Sequence, residues 1–265
     1  MLIKTFSLIC ATALTLSLTQ YTNAVIYNVP SGNAPDVINP ADTVNLSGTG
    51  VIPNNAEYSG TLNMTGGTVG SYFSAETGSE INIHAGTVDA NFRGYDNTTI
   101  NITGGSLAQT GRAFGNSIFN ISGGSISYYF ALLDDSVLNM TGGFIDSFLD
   151  VQSTLNISGG NITSLAVNHL GTVNVTGYDF SLTGGTLPTL TAGTPTSIQT
   201  AVAGQVLSGK FADGTSFTWE LDDNTPIALD KDAFYAGSTL NLILIPEPAT
   251  LSFLALPLLL ITRRN

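Results

Sequence analysis

Two pairs of aspartates are the residues of this chain whose type and spacing come nearest to enzymatic chemistry. Asp134 and Asp135 are adjacent, and Asp146 and Asp150 follow a short distance further on. Paired carboxyl groups can act as acid and as base or nucleophile in glycoside hydrolysis, and clustered carboxylates can also bind Ca²⁺. The alternative, which we favour, is that these aspartates form acidic corners of the kind found in solvated turns.

A polysaccharide lyase would also need a base beside the carboxylates, commonly Lys, Arg or His. The corresponding part of the chain offers Arg93, Arg112, His84 and His169. None of them is expected in a register adjacent to the aspartates, and His169 is expected to be an ordinary surface histidine in a corner. The one cysteine, Cys10, lies in an N-terminal apolar stretch that is expected to be removed as a leader. The mature chain would then have no thiol for catalysis or zinc binding. We therefore predict no catalytic residue, no metal site and no cofactor.

The charge balance argues against a nucleic-acid partner. Lys and Arg number 7 against 19 Asp and Glu, which gives a formal net charge of −12. Binding to phosphates depends on cationic side chains, and the sequence contains no basic cluster. An acidic surface is compatible with cations, with neutral sugars or simply with solubility.

Asparagine recurs at near-equal steps of 17 to 19 residues over more than half of the chain. The recurring positions are Asn63, Asn82, Asn101, Asn120, Asn139, Asn156 and Asn174. Each lies between two apolar residues, as in Leu62 and Met64, and most are followed by a glycine pair. Alternation places Asn on the outward face of a strand, glycine permits a sharp corner, and a fixed period of this length indicates a repeat architecture.

The repeat predicts an all-β fold, namely a parallel β-helix of about seven to eight circuits over residues 44–177. One circuit cannot bury its apolar positions, but stacked circuits bury a continuous column, with each strand paired in parallel to its copy about 4.8 Å away. The general crossover preference favours a right-handed coil. The alternative, an all-β sandwich, would not require a regular register.

The asparagine column has two interpretations. Stacked identical amides can form hydrogen-bonded ladders along the rod, which is a structural role. A regular row of amides and hydroxyls is also a template for a repetitive ligand, for which a polysaccharide chain is one candidate and ice another. His84 interrupts the hydroxyl column that accompanies the asparagines.

The segments that flank the repeats are predicted to cover the ends of the rod. Residues 25–43 are expected to form an N-terminal cap, since open strand edges need protection. Residues 178–245 are expected to form a small antiparallel cap that contains a hairpin about Asp213-Gly214. Trp219 alternates with Phe217 and is expected in the core of this cap, although it could instead stack on a sugar.

Residues 1–24 have the pattern of a secretory signal peptide. Lys4 supplies the positive start, an apolar stretch follows, and Ala24 is the small residue that a signal peptidase requires, so that the mature chain is expected to begin at Val25. The alternative is a membrane-anchoring helix, but the apolar run is short for the bilayer.

Residues 246–265 consist of Pro246-Glu247-Pro248, an apolar run and the basic pair Arg263-Arg264. The arginines would keep the end of the chain on the cytoplasmic side of a membrane. This tail resembles the PEP-CTERM sorting signal of Gram-negative bacteria that make extracellular polysaccharide. The resemblance implies export, transient anchoring in the inner membrane and cleavage by an exosortase-type enzyme near the Pro-Glu-Pro. The Ala212-Asp213-Gly214-Thr215 segment also resembles one often found before such tails.

These observations lead to one leading hypothesis and one alternative. The leading hypothesis is a non-catalytic, exported protein of the cell surface or extracellular matrix with a structural or adhesive role. The alternative is a carbohydrate-active enzyme or a polysaccharide-binding protein on the same scaffold. The expected partners are a signal peptidase, an exosortase-type processing enzyme and, as a candidate ligand, extracellular polysaccharide.

Overall fold

The computed structural model describes residues 23–168, 170–223 and 231–247. Most of the predicted leader, His169, Pro248, Arg263 and Arg264 lie outside the described residues. Within these three ranges the regular structure consists of β-strands, and no helix is long and apolar enough to cross a membrane.

The strands in chain order are β1 (Ile26–Asn33), β2 (Val37–Ile38), β3 (Thr43–Ile52), β4 (Glu57–Tyr58), β5 (Thr61–Val69), β6 (Ser74–Ala75), β7 (Glu80–Val88), β8 (Phe92–Gly94), β9 (Thr99–Ile102), β10 (Ser106–Leu107), β11 (Gly111–Ala113), β12 (Ile118–Ile121), β13 (Ser125–Ile126), β14 (Tyr129–Leu132), β15 (Val137–Val151), β16 (Thr154–Val167), β17 (Thr172–Thr183), β18 (Pro195–Ile198), β19 (Val206–Phe211), β20 (Ser216–Glu220), β21 (Ala233–Phe234) and β22 (Thr239–Leu244).

The predicted parallel β-helix is confirmed, with about eight turns. Each turn contributes to three parallel sheets, because the chain changes direction at corners and each stretch pairs with the equivalent stretch of the next turn. In the first sheet Asn101 lies opposite Asn82 and Asn120. In the second sheet Ser106 lies opposite Thr87 and Ser125. The third sheet runs from β2 through β4, β6, β8, β11, β14 and the ends of β15 and β16 to β21.

The core is the column of inward side chains that the alternation predicted. Residues on both sides of each repeated asparagine are buried, among them Leu62, Met64, Ile81, Ile83, Ile100, Ile102, Phe119, Ile121, Leu138 and Met140. An aromatic row from Tyr58 through Phe73, Phe92 and Phe119 to Phe130 runs along the interior, with neighbouring ring centroids 5.0–6.0 Å apart. Burial of this continuous column, at roughly 25 cal/mol per Å² of apolar surface, is the main force that holds the turns together.

The corner between the first and second sheets requires the second glycine of the repeated pair, as Gly124 of the Gly123-Gly124 pair shows. Gly124 has a φ of +75°, and a β-carbon there would lie 2.8 Å from the carbonyl oxygen of Gly105 in the turn below. Both the left-handed backbone and the close approach of the next turn therefore exclude a larger residue.

The N-terminal segment differs from the predicted cap, because it forms a turn of the solenoid itself. β1 pairs in parallel with β3, which places Asn28 opposite Asn45, and β2 pairs with β4. The prediction missed this turn because Pro30 and a register irregularity after Val29 replace the glycine pair.

The C-terminal segment combines the predicted antiparallel unit with one more rung. β19 and β20 form the hairpin, and Trp219 is 3% exposed between Phe217 and Phe234, as predicted for a core residue. β22, however, pairs in parallel with β17 and continues the first sheet, with Asn241 opposite Asn174. β18 runs antiparallel to β22 and covers its other edge.

Candidate functional site

The repeated asparagines form an uninterrupted ladder of side-chain hydrogen bonds on the outward side of the first sheet, which we call the asparagine face. In every rung Nδ2 donates to Oδ1 of the asparagine in the turn below, over 2.8–3.1 Å. The members are Asn28, Asn45, Asn63, Asn82, Asn101, Asn120, Asn139, Asn156, Asn174 and Asn241. The seven predicted positions are all in the ladder, and Asn28, Asn45 and Asn241 extend it.

All hydrogen bonds of the ladder point the same way along the rod, and the last acceptor at one end is paired with a residue outside the ladder. At the C-terminal end Oδ1 of Asn241 accepts a hydrogen bond from the hydroxyl group of Ser197, and the two oxygens are 2.6 Å apart. A carboxamide carries two N–H donors, and the ladder uses one of them per rung. The remaining N–H of each amide is thus held in a fixed orientation along the face, except at Asn82, where Nδ2 also donates to Oε1 of Glu80 over 3.1 Å.

Hydroxyl side chains accompany most of the ladder on the side that follows each asparagine in the chain. From Asn45 to Asn174, the residues two positions after the asparagines are Ser47, Thr65, Thr103, Ser122, Thr141, Ser158 and Thr176, with His84 as the exception. At the two ends of the ladder this position is Pro30 after Asn28 and Ile243 after Asn241. His84 does not leave a gap, since its Nδ1 lies 2.7 Å from Oγ1 of Thr103 in the next turn. The arrangement is a rectangular array of amides and hydroxyls with a rung spacing of about 4.8 Å.

The four predicted carboxylates do not converge. Asp134 and Asp135 lie in one exposed corner, where Oδ2 of Asp134 accepts the backbone N–H of Gly115 over 2.9 Å. Asp146 is exposed on β15, between its second-sheet and third-sheet stretches, whereas Asp150 is 8% exposed on the outward side of the third sheet. In the described part of the chain, no three His, Cys, Asp or Glu side chains are grouped as metal ligands would be.

Asp150 is the centre of a polar network that the sequence did not indicate. Its Oδ2 accepts hydrogen bonds from the hydroxyl of Tyr129 and from Nε2 of Gln152, each 3.0 Å long. Its Oδ1 accepts a hydrogen bond of 2.5 Å from Nδ2 of Asn168. Burial, and then the negative charge of Asp150, raise the pKa of Tyr129 to about 12. Gln152 and Asn168 also line an open cavity of about 380 Å³ with Asp134 and Leu170. The neutral donors satisfy the carboxylate, which gives it a structural role.

The two arginines of the rod are neighbours. Arg112 lies opposite Arg93 in adjacent turns of the third sheet, and both are half-buried on its outward side. Along the same column Ala131 follows Arg112 and Asp150 follows Ala131, so Arg112 is two turns away from Asp150.

Four of the predicted processing residues belong to the described ranges, namely Ala24, Val25, Pro246 and Glu247, and they lie at the two ends of the described body. Ala24 and Val25 directly precede β1, and the backbone N–H of Val25 donates to Oδ1 of Asp42 over 2.9 Å. At the other end Ile245 donates its N–H to the carbonyl of Gly177 over 2.9 Å, which brings Pro246 and Glu247 directly against the last turn. There Lys210 and Asp179 form an ion pair of 2.8 Å, and the hydrogen bond from Lys210 is the main cause that lowers the pKa of Asp179.

Comparison with known proteins adds no relative: no protein family matches the sequence, no curated protein matches it, and no solved structure matches the fold.

Proposed function

We propose that this protein is exported to the cell surface or extracellular matrix and acts there as a non-catalytic β-solenoid that associates with extracellular polysaccharide. The observation that carries the proposal is the asparagine face, with its continuous ladder of amides bordered by hydroxyls. The leader and the tail support export, with a signal peptidase and an exosortase-type enzyme as processing partners.

The asparagine face suits a repetitive polar ligand because its donors are already ordered. The ladder holds each amide in one orientation, so little side-chain freedom remains to be lost when a ligand binds. The free N–H groups and the neighbouring hydroxyls repeat once per turn, at about 4.8 Å. Sugar residues of an extended glycan present hydroxyls that can both donate to and accept from such groups.

Because the asparagine face is the outward side of a β-sheet, we expect weak contacts that accumulate with the length of the ligand. Each rung offers a few solvent-exposed hydrogen bonds, each worth about 0.5–1.5 kcal/mol at most after exchange with water. Simultaneous engagement of many rungs converts later contacts into intramolecular ones and raises the overall affinity. Adhesion to a long polymer therefore fits the geometry better than recognition of a short oligosaccharide.

The decisive test measures binding of neutral β-linked glucan oligomers of increasing length to the purified protein by isothermal titration calorimetry. We expect the affinity to rise with oligomer length and no hydrolysis or elimination product to form. The triple variant Thr103→Val, Ser122→Val, Thr141→Val removes hydroxyls from consecutive rungs of the asparagine face and should weaken binding about ten-fold or more.

The matched control is Thr87→Val, Ser106→Val, Ser125→Val, which removes hydroxyls from the outward side of the second sheet in consecutive turns. This variant should bind as the unchanged protein does. A single saturable site for a short oligosaccharide, abolished by Asp146→Asn, would instead support the carbohydrate-active enzyme or lectin alternative.

A further inference from the structure

Arg93 and Arg112 form an unusual pair for so acidic a protein. They lie opposite one another in adjacent turns, about 4.8 Å apart along the rod, and both are half-buried. Within the described ranges, neither arginine forms an ion pair or a hydrogen bond through its side chain. The ion pair found in these ranges joins Lys210 to Asp179. Two like charges held side by side repel each other, and an anion between them removes that cost.

Two aspartates in the neighbouring corner accept hydrogen bonds from backbone N–H groups. Oδ1 of Asp96 accepts the N–H of Asn116 over 3.3 Å, and Oδ2 of Asp134 accepts the N–H of Gly115 over 2.9 Å. Both aspartates belong to the exposed corner beyond the third sheet. No ion pair joins either arginine to a carboxylate in the described ranges, so both guanidinium groups remain available on the outward side of the third sheet.

Aromatic rings border both arginines. Tyr95 and Phe114 each lie two residues after an arginine on the same side of the sheet, and their rings are stacked with centroids 5.3 Å apart and an angle of 13° between the planes. Tyr72 is 50% exposed, and the Arg93 guanidinium lies 6.0 Å from the centre of its ring. Aromatic surface beside guanidinium groups is the composition found at energetically important contact sites.

We propose that these five residues, Tyr72, Arg93, Tyr95, Arg112 and Phe114, bind the carboxylated sugars of an acidic polysaccharide. We call them the arginine–aromatic patch. A guanidinium group matches a carboxylate with two parallel hydrogen bonds, and the rings of Tyr95 and Phe114 can pack against the apolar face of a sugar ring. This inference rests on the proposed association with polysaccharide and adds the class of sugar that is recognised.

A carboxylated glycan fits the patch better than a nucleic acid does. Duplexes and single strands present a continuous run of phosphates, and strong binding requires many cationic contacts. The patch supplies two, on a chain of formal net charge −12 that repels a polyanion at longer range. A uronic-acid sugar instead presents a planar carboxylate to a guanidinium group and an apolar ring face to the neighbouring aromatic rings.

The test uses oligogalacturonates and the same oligomers with every carboxyl group methyl-esterified, so that the two probes share the sugar backbone and differ in charge and in one methyl group per sugar. The unchanged protein should bind the acid form about ten-fold or more tightly than the ester. The double variant Arg93→Gln, Arg112→Gln should lose that preference and bind both forms as weakly as the unchanged protein binds the ester. Arg93→Lys, Arg112→Lys should keep part of it, since charge remains but the bidentate geometry does not.

Lys210→Gln, Lys231→Gln is the control, because it changes the net charge by the same amount away from the patch, and it should retain the preference for the acid form. Circular dichroism verifies that each variant is folded. Equal binding of acid and ester by the unchanged protein, or a preference that survives in the glutamine variant, would overturn the patch while leaving neutral-glycan binding at the asparagine face intact. Tighter binding of single-stranded DNA than of the acid oligomer at equal ionic strength would also overturn it.

Discussion

The backbone nitrogen of Val25 lies 2.9 Å from Oδ1 of Asp42, and the carbonyl of Val25 in turn accepts the N–H of Thr43 over 2.9 Å. Asp42 is 4% exposed, and its Oδ2 accepts the backbone N–H of Asn39 over 3.0 Å. The hydrogen bond from Val25, followed by that from Asn39, lowers the pKa of the Asp42 carboxyl group. The residue at which the mature chain is expected to begin is thus bound on both sides by the second turn of the solenoid.

This contact predicts that removal of the leader stabilises the protein. Cleavage before Val25 would convert its neutral N–H into an ammonium group beside a carboxylate, and a charge-assisted hydrogen bond is stronger than a neutral one. A chain that starts at Val25 should melt at a higher temperature than one that retains Ala24. Differential scanning calorimetry at neutral pH measures the difference, and in the Asp42→Asn background it should disappear. An equal difference in both backgrounds would show that Asp42 is not the partner.

Side-chain direction along the rod can be tested by substituting neighbouring residues. Ile121→Asp places an unpaired carboxylate in the buried column and should unfold the protein. Ile102→Ala should cost about 2–5 kcal/mol of unfolding free energy through the cavity it leaves. Asn120→Ala breaks its ladder bonds to Asn101 and Asn139 but leaves a half-buried, outward position, and should cost about 1 kcal/mol. Chemical denaturation gives all three values, and an Asn120 effect as large as that of Ile121→Asp would contradict the outward position.

Asp213 is predicted to fasten the hairpin to the rod. Its Oδ2 accepts the N–H of Gly160 over 2.9 Å, and its Oδ1 accepts the N–H of Thr215 over 2.8 Å. Asp213→Ala removes both acceptors and should lower the unfolding free energy by about 1–2 kcal/mol. Asp213→Asn keeps one acceptor oxygen and should lose less. Hydrogen exchange should show faster exchange at Gly160 in the alanine variant, and unchanged protection there would refute the contact.

Asp232 is predicted to contribute more to the stability of the folded state in mild acid than at neutral pH. Burial raises the pKa of Asp232 from 3.8 to about 6, against the opposing hydrogen bonds from the N–H groups of Leu165 and Glu220. Between these two values the folded state binds more protons than the unfolded state, so this residue's contribution to stability falls as pH rises from about 4 to about 6 and is constant above.

The measurement is the unfolding free energy at pH 4.5 and pH 7, compared between the unchanged protein and Asp232→Ala. Subtraction removes the contributions of the other carboxyl groups, which change the total in their own directions. The difference between the two proteins should shift in favour of the unchanged protein at pH 4.5. A difference independent of pH would place the pKa of Asp232 near its ordinary value.

The period of the repeat and the alternation within it were sufficient to predict the solenoid, because both are local properties of the chain. Leu62, Asn63 and Met64 must alternate across a strand, and equal steps bring Asn63, Asn82 and Asn101 into line whatever lies between them. The same alternation placed Trp219 in the core.

Pairing partners distant in sequence were decided by the tertiary structure alone. Asn241 has the same local pattern as the repeated asparagines, but the chain between Asn174 and Asn241 forms β18 to β21 before it returns to the stack. The residues around an asparagine do not indicate how many residues separate it from the asparagine of the next rung. The first rung, at Asn28, was obscured by a corner built without the usual glycine pair.

One candidate site could be predicted from the sequence, whereas the other contacts depend on the tertiary structure. The asparagine face follows from the sequence, since a strict period places identical side chains above one another. The neighbours of Asp150 and the stacking of Tyr95 on Phe114 depend on where side chains point after the corners have been turned. The contact between Val25 and Asp42 depends on the closure of the first turn, which brings residues 17 positions apart within hydrogen-bonding distance. Local alternation therefore determined what faces inward, and the packing of successive turns determined which outward groups meet.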